Sequence, residues 1–265
     1  MLECIVNVSE GRDPDVLDAV RDAGGGDLLD EHVDPHHHRC VLTTVGEAAA
    51  RRIARVAVER IDLRAHDGVH PRLGAVDVVP FVALEGSEPA DACGARERFA
   101  TWIADELAVP AFRYGDGEAV PTLPEVRRRA FVDLAPDTGP DRPHPTAGAV
   151  AVGCRPPLVA YNLWLAEPDL VLARDVAAAV RGDGIRALGL AVGERVQVSM
   201  NLIDPDRVGP AVAYDRVAAR ARVDRAELVG LLPRRVLAAV ATDRWPELDL
   251  AEDRTVEARL DRRRA

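Results

Sequence analysis

Hydrophobic and polar positions along the first third of the chain predict a strand at residues 2–8. A helix follows at about 14–23, opened by Asp13-Pro14, which supply a cap and a proline at the first helical position. A short strand at 27–31 precedes an apolar, β-branched run at 40–45. An alanine- and arginine-rich amphipathic helix at 48–61 and a second apolar run at 76–83 complete the order β-α-β-β-α-β.

The second half repeats this order. Strands are predicted at 158–165, 187–192 and 196–202, the last two joined by Gly193-Glu194, with helices at 169–181 and 210–222. A short strand at 228–231 and a helix from 233 to about 240 end the pattern. Two split β-α-β units in tandem define an α+β fold. Between them lie a helix at 89–107, a short strand at 111–114 and a linker-like stretch at 135–148 with four prolines and two glycines. The boundary is placed there, giving subdomains 1–140 and 141–265. A sheet with helices on one face must bury the other, so the open faces are expected to pack together or across a ligand cleft.

Composition narrows the function classes. At 265 residues, 48 % apolar, the chain holds a sizeable core. The absence of a signal-peptide pattern or a long apolar run leads to the expectation of a cytoplasmic protein. A net charge of −10 argues against nonspecific nucleic-acid binding. All 34 basic residues are arginine, which excludes a lysine Schiff base or a phosphate-loop lysine. The four cysteines, Cys4, Cys40, Cys93 and Cys154, are widely scattered and read as buried reduced thiols without redox chemistry.

Candidate chemistry concentrates at 66–77, where His66, Asp67, His70, Arg72 and Asp77 lie among Gly68, Pro71 and Gly74 just before a predicted strand. His70, biased to extended backbone by Pro71, suits general acid/base work near neutral pH. His36, His37 and His38 are dense enough to suggest a metal. However, three consecutive strand residues cannot aim at one ion, and no zincin spacing accompanies them, so no metal is expected. Other polar groups sit at strand ends: Asn7, Ser9, Glu10 and Arg39. Gln197, Ser199 and Asn201 alternate on one strand face, which is either solvated or turned to a polar ligand.

At these residues the sequence resembles the glutamate formiminotransferase family. The segments that carry the likeness are Val6-Asn7-Val8-Ser9-Glu10-Gly11-Arg12, Gly68 to Val78, Pro136-Asp137-Thr138-Gly139-Pro140, His144 to Gly153, and Gln197-Val198-Ser199-Met200-Asn201-Leu202, in family order over about 2–240. The resemblance implies two ferredoxin-like subdomains, a homodimer, and transfer of a formimino group from N-formiminoglutamate to tetrahydrofolate as cosubstrate, in histidine catabolism. No cyclodeaminase part is expected.

The same likeness makes His70 the acid/base and assigns folate binding to Gly139, Pro140, His144, Pro145, Thr146 and Gly148. Asn7, Ser9, Glu10, His38, Arg39, Arg72, Asp77, Asn162, Gln197 and Asn201 are the expected substrate-binding residues, with Arg39 and Arg72 as partners for the glutamate carboxylates. Attack of a pteridine nitrogen on the amidine carbon needs one proton removed and another delivered, and an imidazole near neutral pKa serves both. Held together, the two substrates also gain from proximity. The chain departs from the family at Val69, where glutamate is usual, and at His38-Arg39, where Asn-Arg is usual. The segment 114–131 is also shorter. Two other readings stay open: a formimino or amidine hydrolase using water in place of folate, and a catalytically silent folate-binding protein.

Overall fold

The computed structural model describes residues 1–68, 72–182 and 184–264. Two compact units meet at the Pro156/Pro157 junction. That division lies beyond the predicted boundary after residue 140, because the proline-rich stretch is built into the first unit.

In the first unit the order is β1 (Leu2–Val8), α1 (Pro14–Gly24), β2 (Leu28–Asp34), β3 (Arg39–Val45), α2 (Glu47–Arg60) and β4 (Val76–Ala83). This is the first β-α-β-β-α-β repeat. The Asp13 carboxylate accepts from the backbone N–H of Asp15 and Val16 to start α1, which buries Val16, Leu17 and Val20. Helix α2 buries mainly alanines, Ala49, Ala50, Ala54 and Ala57, around Ile53. Such small side chains let a helix lie close to its sheet.

Then come α3 (Pro89–Leu107), β5 (Ala111–Gly115), α4 (Leu123–Arg129) and β6 (Val150–Cys154). The sheet order is β2-β3-β1-β4-β6-β5, with β6 parallel to both β4 and β5. Neither α4 nor β6 is predicted from periodicity. Every residue of β6 is buried, so it reads as a short apolar run without alternation. A separate small cluster of Val78, Phe112, Tyr114, Val126, Ala149 and Ala151 is supplied by β4, β5, α4, β6 and the residue just before β6.

The cysteine expectation is corrected here. Cys93 of α3 and Cys154 at the end of β6 form a disulfide, with Cα atoms 5.0 Å apart. Their 61-residue separation hid the pairing, which only the packing of α3 on β6 creates. Cys4 and Cys40 are free and buried, and burial pushes both thiols up, Cys40 to about 12.

The second unit contains β7 (Val159–Leu165), α5 (Leu170–Val180), β8 (Ile185–Val192), β9 (Arg195–Leu202), α6 (Pro210–Ala218) and β10 (Val223–Val229), the second repeat, followed by α7 (Arg234–Ala238) and α8 (Val256–Arg264). Its sheet runs β10-β7-β9-β8. Strand β10 starts five positions before the predicted 228, because Val223 already opposes Leu165. Its charged residues, Asp224, Arg225 and Glu227, conceal it from a hydrophobicity reading.

Candidate functional site

The polar residues of the first unit gather at the carboxyl end of β1. The register of β1 with β4 shifts between Asn7 and Val8, a bulge of the kind that re-aims side chains beside functional sites. Asn7 donates its amide to Val78 O and accepts from Arg39 Nη2 at 3.0 Å. Ser9 donates from its backbone to Ala75 O and from its hydroxyl to Gly74 O, each at 2.8 Å. Glu10 Oε1 accepts from the backbone N–H of Gly11, Arg12 and Asp13 at 2.7–3.0 Å. Gly11 is required in that turn, since a Cβ would lie 2.5 Å from Asp34 O.

The three consecutive histidines occupy the turn between β2 and β3 and diverge. His37 is buried and pairs through Nδ1 with Asp34 Oδ2 at 2.5 Å. Burial opposes ionisation of Asp34, yet the side-chain and backbone hydrogen bonds from His37, its charge and that of Arg39 bring the carboxyl down to about 2. His38 turns the other way, toward Glu10, with Nδ1 and Oε1 3.2 Å apart. Its ring stacks on that of His66, centroids 4.1 Å apart. Burial holds both imidazoles below their ordinary range; for His66 the Arg72 guanidinium adds to the effect.

Arg39 is half-buried, and desolvation lowers its pKa while Asp77 and Asp34 oppose that shift. Asp77, 5 % exposed, accepts from Leu73 N at 2.7 Å and pairs with Arg127 of α4 at 2.6 Å. Arg72 donates to Gly68 O. His70, the expected acid/base, lies with Val69 and Pro71 outside the described residues.

The predicted folate segment is joined directly to this loop. Gly74 bridges Gly148, Ala75 N donates to Ala147 O at 2.9 Å and Ala149 N to Leu73 O at 3.0 Å. The contact demands glycine on both sides: a Cβ at Gly74 would lie 2.0 Å from Ala149 O, and one at Gly148, where φ is +70°, 2.3 Å from Leu73 O. His144 Nδ1 accepts from Thr146 N and Ala147 N, closing the turn that Pro145 enters. Gly139 and Pro140 are exposed, and Thr138 anchors them by donating its hydroxyl to Ala100 O at 2.8 Å.

In the second unit Asn162 and Trp164 of β7 both donate to Glu227 Oε2, at 3.2 and 3.0 Å. Gln197 opposes Trp164 and Asn201 opposes Ala160 on β9, so the predicted residues share the sheet face turned away from the buried core positions Tyr161, Leu163, Val198 and Met200. Gln197 is 2 % exposed and its Oε1 has no hydrogen-bond partner among the described residues. Arg195 and Arg225 lie over the Trp164 ring at 5.4 and 4.5 Å.

Two residues of these clusters escape a sequence reading. Arg127 is one of three consecutive arginines, indistinguishable by pattern from Arg128 and Arg129. Glu227 lies in the part of β10 that hydrophobicity did not reveal. Among the described residues, no group of three or more His, Cys, Asp or Glu is placed to hold a metal, and no helix is long and apolar enough to cross a membrane.

The family model for the formiminotransferase domain, N-terminal subdomain, matches residues 1–155. A glutamate formimidoyltransferase of Streptococcus pyogenes serotype M1 is 34 % identical over 274 residues, covering 91 % of this chain and 92 % of that protein. Another, of Thermoplasma acidophilum, is 33 % identical and 91 % covered on both sides. The formimidoyltransferase-cyclodeaminase of Rattus norvegicus is 32 % identical, over 89 % of this chain and 51 % of that longer protein.

Proposed function

This chain belongs to the formiminotransferase family, and from that premise we propose that it moves the formimino group of N-formimino-L-glutamate to tetrahydrofolate, yielding 5-formiminotetrahydrofolate and L-glutamate, a reaction of histidine degradation. The observation that carries this reading is the Gly74–Gly148 junction, which ties the loop leading from His70 to the segment expected to bind folate.

Arg39 and Arg72 hold the donor carboxylates, with Asn7, Ser9, Glu10, His38 and Asp77 shaping that end of the site. Gly139, Pro140 and the 144–148 turn receive the folate. Asn162, Gln197 and Asn201 offer amides to the substrates, and the unpaired Gln197 Oε1 suits an N–H donor such as a reduced pterin supplies. His70 takes and gives the protons of the exchange. Tetrahydrofolate is thus a consumed cosubstrate, and no metal enters the scheme. A homodimer in the cytoplasm completes the proposal.

The test is to incubate the protein with tetrahydrofolate and N-formimino-L-glutamate while following folate absorbance and free glutamate. Glutamate release equal to folate conversion, with a loss of about 10²-fold in kcat for His70→Ala, is the expected result. Glutamate released without folate would replace transfer by hydrolysis, and folate binding without turnover would make the protein catalytically silent. Sedimentation equilibrium decides the dimer.

A further inference from the structure

Two backbone N–H groups of the 144–148 turn converge on one imidazole nitrogen. Thr146 N and Ala147 N donate to His144 Nδ1 at 3.3 and 3.0 Å, and the Thr146 hydroxyl stands 3.4 Å from the same atom. Nδ1 therefore carries no hydrogen, and the hydrogen of the neutral ring is on Nε2. Ala147 is fully buried, and its N–H has no other acceptor among the described residues. The neck of the turn is closed by a reciprocal backbone pair, His144 N to Gly148 O at 2.7 Å and Gly148 N to His144 O at 3.0 Å. His144 thus does what asparagine or aspartate does in an Asx-turn, accepting from main-chain donors two and three residues on.

The turn shaped in this way braces the 66–72 segment on both sides. Before that segment, Leu63 N donates to Thr146 O at 2.9 Å. After it, Ala75 N donates to Ala147 O at 2.9 Å, Ala149 N donates to Leu73 O at 3.0 Å, and Gly74 bridges Gly148. The Ala147 N–H and the Thr146 carbonyl belong to one planar peptide, so the bond to His144 and the bond from Leu63 hold opposite edges of the same plate. That plate cannot turn without breaking both bonds.

We infer that His144 is a positioning residue of the transfer site, a role that rests on the transfer reading above. Its Nδ1 fixes the Thr146–Ala147 peptide, and that peptide sets both the folate segment and the flanks of the loop that carries His70. The role requires an acceptor at the place of Nδ1. It requires no contact between the ring and either substrate, and no proton transfer by the ring.

Two side-chain amides separate this role from direct contact. Asparagine brings its oxygen close to the position of Nδ1 and, before a proline, favours the start of a turn, whereas glutamine reaches toward the position of Nε2. Tetrahydrofolate binding is followed by calorimetry, and kcat is measured at saturating folate. His144→Gln is expected to lose about tenfold in affinity and about tenfold or more in kcat, since a buried N–H loses its acceptor and the loop is displaced. His144→Asn is expected to restore both to within about threefold of wild type. Equal losses in both variants would assign the ring a direct role, and loss in neither would make the turn independent of it. A fall in affinity with kcat intact would detach the turn from the His70 loop. Each of these three results overturns the positioning role and leaves the transfer reading standing. If the glutamine variant fails to fold, heteronuclear NMR of the wild-type chain decides: a neutral His144 ring protonated on Nε2 is expected, and protonation on Nδ1 overturns the role. A wild-type chain that neither binds tetrahydrofolate nor transfers overturns both.

Discussion

Arg127 donates to both carboxylate oxygens of Asp77, Nη1 to Oδ1 at 3.3 Å and Nη2 to Oδ2 at 2.6 Å, across fifty positions of sequence. The same carboxylate accepts from Leu73 N, so one side chain at the start of β4 fastens α4 and the end of the 66–77 loop together. Arg127→Gln would leave a carboxylate with only 7 % side-chain exposure short of its cation. A loss of about 2–3 kcal/mol is expected in urea unfolding, with part recovered in the Asp77→Asn/Arg127→Gln double variant. Additive losses in that cycle would show that the two groups act independently.

The Gly74–Gly148 junction predicts that contact between the two segments is needed for folate affinity. Gly74→Ala forces a Cβ against Ala149 O and separates the strands of that bridge. Tetrahydrofolate binding, followed by calorimetry, should weaken by about tenfold or more, equivalent to about 1.4 kcal/mol. Unchanged affinity in a folded variant would dissociate the junction from the folate site.

The Cys93–Cys154 disulfide closes a loop of 61 residues in sequence separation. Its removal by Cys93→Ser/Cys154→Ser should cost about 3–4 kcal/mol, most of it through the greater freedom of the unfolded chain. Thiol titration in denaturant without reductant should find Cys4 and Cys40 only. Four titrating thiols, or a melting temperature indifferent to reductant, would contradict this.

Asp34 supplies a pH dependence with a definite sign. Its carboxyl is held at about 2 in the folded chain, where burial opposes ionisation but the His37 hydrogen bonds prevail, against about 3.9 when unfolded. The stabilisation is complete above the unfolded value and disappears as pH falls from about 4 through about 2. Unfolding free energies measured over that window should decline more steeply for the wild type than for Asp34→Asn. Parallel curves would remove Asp34 from the acid transition.

Much of the site was legible from local chemistry and likeness to the family: Asn7, Ser9, Glu10, His38, Arg39 and Asp77 do gather in the first unit, and the 144–148 turn joins them. Arg127 was not, because nothing in a run of three arginines says which one a distant carboxylate will meet. Nor was the pairing of Cys93 with Cys154. Nor was the stacking of His38 on His66, which joins rings twenty-eight positions apart.

The sequence by itself determined the two β-α-β-β-α-β repeats, since side-chain period, Asp13-Pro14 capping and turn glycines act within a few residues of one another. Tertiary structure alone decided where β6 inserts, how the proline-rich stretch docks on Leu73–Ala75, which arginine neutralises Asp77, and which ring His38 stacks on. Those outcomes depend on distances between groups tens of residues apart along the chain. Electrostatic pairing and close packing are set by such distances, and local patterning carries no record of them.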